Sequence, residues 1–97
     1  MSREIIFRPV ALRDLAEIWD YSEQNWGSTQ ADEYVRDIHA MLAKVAENPA
    51  LGSPREHVRP GLRKITAASH AIYYFHDNKT VRVSRILHSS MDAGTAL

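Results

Sequence analysis

Apolar and polar residues along this chain recur with two periods, and each change of period marks an element. Glu4-Ile5-Ile6-Phe7 is a short run with two β-branched residues, closed by Arg8-Pro9, and it predicts a first strand. Pro9 stands where a helix can begin, because its missing N–H falls among donors that are unpaired there anyway. From Ala11 the spacing becomes helical. Leu12, Leu15, Trp19, Ser22 and Trp26 form an apolar stripe widened by Ile18 and Tyr21, with Arg13, Asp14, Glu17, Asp20, Glu23 and Gln24 opposite. Gly27 is the expected stop. A second helix follows at once, with Ser28 or Thr29 as its cap and Thr29-x-x-Asp32 as a capping box in which Asp replaces the usual Glu. Its stripe is Ala31, Tyr34, Val35, Ile38, Met41, Leu42 and Val45. It should end by Asn48, since Pro49 disfavours helical geometry in the residue before it. Two amphipathic helices on so short a link fold back as an antiparallel hairpin, one side of which must cover an apolar surface.

The second half supplies that surface. Residues 50–61 are a Pro/Gly loop, followed by three strand-like runs: Leu62 to Thr66, His70 to Phe75 and Thr80 to Leu87. Asp77-Asn78 is a turn signal joining the last two as a hairpin. Along the third run Val81, Val83 and Ile86 face one way and Arg82 and Ser84 the other. Strict alternation would place Arg85 with the valines, so a bulge or a change of register is expected there. The order is β-αα-βββ: a single α+β domain over 1–97, an antiparallel sheet covered by an antiparallel helical hairpin.

Ninety-seven residues supply one core, and 44% hydrophobic with 25% charged residues is ordinary for a globular domain. Twelve basic and twelve acidic side chains cancel, which by itself argues against a generally basic nucleic-acid binder. The cancellation hides a division: residues 1–50 carry a net −4 and residues 51–97 a net +4. With no cysteine there is no disulfide, thiolate metal site or cysteine nucleophile. The N-terminal stretch has no apolar signal core, and no run of eighteen apolar residues occurs, so a soluble cytoplasmic protein is expected. Phosphate-loop, HExxH, GxSxG and EF-hand motifs are missing. The five histidines lack ligand spacing, so neither a metal nor a cofactor is expected.

Three groups of residues remain as candidates. Arg55, Arg59, Arg63 and Lys64 lead into the sheet, and Arg82 and Arg85 lie on its last strand. Together they form either a phosphate-seeking cationic patch or solvated sheet residues paired with acids on the helices. Glu56 (or His57), Arg63, Arg85 and His88 have the residue types of a metal-free endoribonuclease: a base for the 2′-OH, cations for the phosphorane and an acid for the leaving oxygen. Trp19, Tyr21, Trp26 and Tyr34 are core residues of the hairpin or, where exposed, a surface for a partner's amphipathic helix.

In order along the chain, these residues resemble the ParE branch of the RelE/ParE superfamily, the toxins of type II toxin–antitoxin pairs. The carriers in the helical half are Ala11-Leu12-Arg13-Asp14-Leu15, Ile18-Trp19-Asp20-Tyr21, Trp26-Gly27 and Ala31-Asp32-Glu33-Tyr34. They continue as Asn48-Pro49 with Gly52, Pro60-Gly61-Leu62-Arg63-Lys64, Ser69-His70-Ala71-Ile72-Tyr73-Tyr74 and Arg85-Ile86-Leu87-His88-x-x-Met91-Asp92. The resemblance implies the same β-αα-βββ fold. It also implies a hetero-oligomer with a ParD-like ribbon-helix-helix antitoxin and inhibition of DNA gyrase by binding, without chemistry. On that basis Arg63, Arg82, Arg85, His88, Met91 and Asp92 are expected to meet the target, and Trp19, Trp26, Tyr34 and Arg59 the antitoxin. RelE-like relatives are ribosome-dependent mRNA endonucleases, for which Glu56, Arg63, Arg85 and His88 would be the catalytic set. Their closing His-aromatic pair is not matched, because Ser89 follows His88, and RelE's lysine-rich surface has no counterpart here. A ParE fold that has lost toxicity and remains a partner of its antitoxin is the third reading.

Overall fold

A computed structural model describes residues 2–91 and 93–97. Strand β1 (Glu4–Phe7) runs directly into helix α1 (Pro9–Trp26), with Arg8 extended and Pro9 opening the helix. A single residue, Gly27, separates α1 from helix α2 (Ser28–Glu47). Gly27 has φ +88°, a backbone conformation that L side chains rarely adopt. Its N–H closes α1 on the Glu23 carbonyl (2.9 Å), and its carbonyl accepts the first N–H bond of α2, from Ala31 (3.1 Å). The Thr29–Asp32 capping box is not formed: α2 starts at Ser28 with no side-chain cap. Asp32 Oδ1 accepts a bond from Trp19 Nε1 instead (2.8 Å), clasping the two helices together.

After α2 come a 3₁₀ turn at Pro49–Leu51 and the strands β2 (Ser53–Pro54), β3 (Arg63–Ala67), β4 (His70–His76) and β5 (Thr80–His88). A short helix α3 (Ala93–Ala96) follows. The sheet order is β1-β5-β4-β3-β2. The pairs among β2 to β5 are antiparallel as expected, whereas β1 lies parallel to β5, which makes the whole sheet mixed. The α+β class and the β-αα-βββ order stand, with β2 and α3 as small additions. The anticipated irregularity on the last strand is a bulge: Tyr74 pairs with Val83 and Tyr73 with Arg85, leaving Ser84 without an opposite number. This one extra residue lets Val81, Val83 and Ile86 share a face while Arg85 and Leu87 turn to the other.

The core lies between that face and the helices. Leu15, Ile18, Ile38, Leu42, Ile72, Val83 and Ile86 form its centre, and Val45, Tyr74 and Val81 extend it. The stripe of α2 is as the spacing predicts. That of α1 is rotated: its buried residues are Ala11, Asp14, Leu15, Ile18 and Ser22, while Leu12, Tyr21 and Trp26 are exposed. Asp14, placed by its charge on the polar side, is thus a correction, and its partners explain it below. A second, smaller cluster of Leu62, Ala71, Tyr73 and Leu87 fills the opposite face of the sheet beneath Val58, Ala93, Ala96 and Leu97.

The β4–β5 turn is held by one carboxylate. Asp77 Oδ1 accepts bonds from the N–H groups of Lys79 and Thr80 (each 2.8 Å) and from Thr80 Oγ1 (3.1 Å). The two backbone N–H bonds are the main cause that lowers its pKa from 3.8 to about 2. A depressed carboxylate stabilises the fold above its unfolded pKa, and that contribution is lost as pH falls from near 4 through 2. In urea titrations an Asp77→Ala variant should therefore be less stable than the parent at neutral pH, with the gap narrowing towards pH 2. A gap independent of pH would remove the charged form of Asp77 as its cause.

Candidate functional site

The residues expected to act together do not all meet. Glu56 lies in the loop before β3, where its Oε2 accepts the Gly61 N–H (2.8 Å). Arg63 opens β3 and pairs with Tyr74 on the helix-facing side, its guanidinium donating to the carbonyls of Gly52 and Ala50. Arg85 pairs with Tyr73, so it starts from the opposite side of the sheet. His88 closes β5 opposite His70, four residues of β4 from the level of Arg63, or ~13 Å along the strand. Glu56, Arg63, Arg85 and His88 thus serve four separate local structures and share no cavity.

Arg85 is also not free to face a target. Its Nε and Nη2 donate to the two oxygens of Asp14 (2.8 and 3.0 Å), and its Nη1 donates to the Ala96 carbonyl (3.0 Å). The bond to Asp14 raises the guanidinium pKa above its ordinary value. Asp14 is buried because of where β1 ends. The β1 pairing stops at Val83, so the edge of β5 beyond it is open, and the Ile86 N–H on that edge is taken by Asp14 Oδ2 (3.0 Å). Arg82 remains exposed and pairs with Asp77 (3.1 Å). Arg59 donates to the Leu97 carbonyl (2.6 Å), which holds the segment of α3 over the sheet. Met91 is exposed, and Asp92 lies outside the described residues. Beside α3 are two open clefts of about 450 and 520 Å³, whose cations are Arg8, Arg55, Arg59 and Arg85.

A third cleft opens on the helix side, with a volume of about 350 Å³. Glu17, Ile18, Tyr21 and Trp26 from α1 form one wall and Tyr34 from α2 another. Ser69, His70 and His88 close its end. Ala68 and Ser69 are the two-residue turn between β3 and β4, and Ala68 has φ +52°, a left-handed conformation uncommon for a residue with a Cβ. The turn is fixed to α2 by the Ser69 N–H donating to Tyr34 Oη (3.1 Å). That phenol also shares a 2.5 Å hydrogen bond with His70 Nδ1. The rings of His70 and His88 meet edge to face at 5.4 Å. Burial lowers the His70 pKa, the neighbouring His88 lowers it further, and Asp14 partly opposes both. The surroundings of His70 therefore favour the neutral imidazole. His88 is exposed, with Nδ1 against Ser90 Oγ (2.7 Å).

Of the aromatic residues singled out in the sequence, Tyr21, Trp26 and Tyr34 line this cleft, whereas Trp19 is committed to Asp32. His70, which in the sequence only opens a strand-like run and lacks ligand spacing, belongs to the cleft as well. Its link to His88 depends on the β4–β5 register, for which the chain carries no local signal. Among the described residues no three His, Asp or Glu side chains gather closely enough to hold a metal ion. No helix among them is long and apolar enough to cross a membrane.

Comparison with known proteins agrees with this architecture. A family model described as the ParE toxin of the type II toxin–antitoxin system parDE matches residues 5–93. The chain is similar to Toxin ParE1 of Caulobacter vibrioides, with 42% identity over 83 residues, covering 86% of this chain and 85% of that protein. It is similar to Toxin ParE1 of Mycobacterium tuberculosis, with 38% identity over 93 residues and 95% of each chain covered. Its fold is shared with a solved chromosomal ParDE toxin–antitoxin system from P. aeruginosa, at a TM-score of 0.76 and 21% identity over 90% of this chain and 96% of that one. The RelBE2 toxin–antitoxin complex of Mycobacterium tuberculosis also shares it, at a TM-score of 0.64 and 18% identity, with 91% and 99% covered.

Proposed function

Since the chain belongs to the ParE toxin family of type II toxin–antitoxin systems, we propose that it blocks DNA gyrase by binding it in the cytoplasm and that a ParD-like ribbon-helix-helix antitoxin neutralises it. The observation that carries this reading is the match to the ParE family over residues 5–93, together with two ParE relatives that cover most of the chain. Solved relatives of the same fold are described as toxin–antitoxin systems and complexes, which supports an antitoxin partner. The target is the finer part of the proposal, and the dispersal of Glu56, Arg63, Arg85 and His88 favours binding over phosphodiester chemistry. Arg85 and Arg63 are engaged within the fold and Arg82 is paired with Asp77 at the surface, so the side chains offered to a target are His88, Met91 and, by exchange of its exposed ion pair, Arg82.

Purified protein assayed on gyrase and, separately, on translating ribosomes decides between the readings. Supercoiling should fall and cleaved DNA accumulate while mRNA stays intact. Codon-positioned mRNA cuts with unchanged supercoiling would sink the gyrase reading. Inactivity in both assays, with antitoxin binding retained, would favour a non-toxic partner protein. His88→Ala should leave toxicity without the complete loss expected of a general acid.

A further inference from the structure

The tip of the helical hairpin carries charge of one sign. From Asp14 to Val35 the chain has Asp14, Glu17, Asp20, Glu23, Asp32 and Glu33 and no lysine or arginine. Asp14 is spent on Arg85 and Asp32 on Trp19, while Glu17, Asp20, Glu23 and Glu33 are exposed. Of these carboxylates Glu17 lines the 350 Å³ cleft. At its mouth Tyr21 and Trp26 are 62% and 64% exposed, large values for side chains of their size, with ring centroids 6.0 Å apart at 73°. Tyr34 and the imidazole of His70 line the inner end.

Aromatic faces carry the negative side of a quadrupole, so the rings and the carboxylates attract the same class of group. An acidic segment would gain apolar contact here but would be repelled by Glu17. A neutral apolar segment would leave Glu17 and the ring faces unused. A cation on an aliphatic stem satisfies both, with its stem against apolar surface and its head between the rings and Glu17. We propose that this cleft receives an arginine or lysine side chain carried on a basic segment of a partner protein, its head group held by Tyr21, Trp26 and Tyr34 with Glu17 as counter-charge. The segment's source is the antitoxin; that clause rests on the preceding reading, and the chemistry of the cleft does not.

The His70 imidazole sets a pH limit on this binding. His70 is faced by Tyr34 from α2, by Asp14 and Glu17 from α1 and by His88 from β5, while the turn before it contributes only Ser69. Protonating His70 places a positive charge beside the bound cation, so affinity should fall as the solution is acidified.

The probes are acetylated, amidated pentapeptides Ala-Leu-X-Leu-Ala with X as arginine, its uncharged isostere citrulline, or glutamate. Binding is read in NMR titrations from the backbone amide resonances of the cleft residues Ser22, Ser69 and His70 and, where present, from the Trp26 indole. The arginine peptide should bind about two- to fivefold more tightly than the citrulline peptide at neutral pH. Added salt should narrow that difference. Trp26→Ala and Glu17→Gln should each weaken arginine binding about two- to fivefold. Both positions are exposed, and circular dichroism checks that the variants fold. Equal binding of arginine and citrulline, preference for glutamate, or an unmoved Trp26 signal at millimolar peptide would each overturn the proposal. The antitoxin complex supplies the second arm. If Trp26→Ala loses the peptide yet pairs with antitoxin at full strength, the antitoxin is not the source, and the toxin–antitoxin pairing itself stands.

Discussion

Replacing Asp14 with alanine should lower the melting temperature by roughly 10–20 °C, the shift expected when about 2–3 kcal/mol is lost from a domain of this size. Three bonds converge on this carboxylate: two from the Arg85 guanidinium and one from the Ile86 N–H. The Asp14 side chain is 9% exposed and that of Arg85 is 21% exposed. Losing the carboxylate leaves a largely buried cation without its anion and a buried N–H without an acceptor. Because Arg85 is partly wetted, the loss belongs below the range for a fully enclosed pair. Arg85→Ala should cost less, since Asp14 keeps the Ile86 bond and loses only the charge pair. If Asp14→Ala melts within a few degrees of the parent, water must be replacing the carboxylate, and the edge of β5 is more open than the geometry indicates.

Gly52→Ala is the second large effect, with an expected loss of about 3 kcal/mol or more from overpacking and a broken hydrogen-bond network. Tyr74 crosses the core from β4, and its buried hydroxyl donates to the Pro49 carbonyl (2.6 Å) while accepting the Gly52 N–H (2.9 Å). A Cβ on Gly52 would collide with that hydroxyl and stand 2.9 Å from the Lys64 carbonyl oxygen, a backbone atom that cannot turn away. Tyr74→Phe removes the hydroxyl without adding bulk and should cost about 1–3 kcal/mol by leaving a buried donor and acceptor unpaired. Chemical denaturation of the two variants checks the order. If Gly52→Ala were the milder, the 3₁₀ turn would have to yield easily, and the Tyr74 network would not be what fixes it.

Local pattern predicts the elements well because each is decided by its own residues. Pro9 opens α1, Gly27 ends it, Pro49 ends α2, and Asp77 makes the turn into β5. The strand pattern even signals the bulge, since Arg85 falls out of phase with Val81 and Val83. What the pattern missed are side chains whose environment is made by distant chain. Scoring Asp14 by charge puts it outside, yet it lies on the Ala11–Leu15–Ile18 face because an open strand edge and an arginine, both over seventy residues away, require an acceptor there. Asp32 resembles a capping residue until Trp19 comes within reach. The cleft is legible only in its rings: its depth depends on a turn between strands meeting Tyr34, and its second imidazole on strand register.

The parallel pairing of β1 with β5 also orders events in time. Ile5 finds its partner in Val81, so β1 leaves a ribosome well before the strand it pairs with. At ~5–20 residues per second that interval is ~4–15 s. During it Ile5, Ile6 and Phe7 have no sheet to join, and the two helices have no finished surface to cover. Closing so long a loop late costs entropy before any contact repays it, which slows folding relative to a domain of local contacts. A nascent chain therefore spends seconds without the surfaces described above, and it acquires them together as β5 emerges.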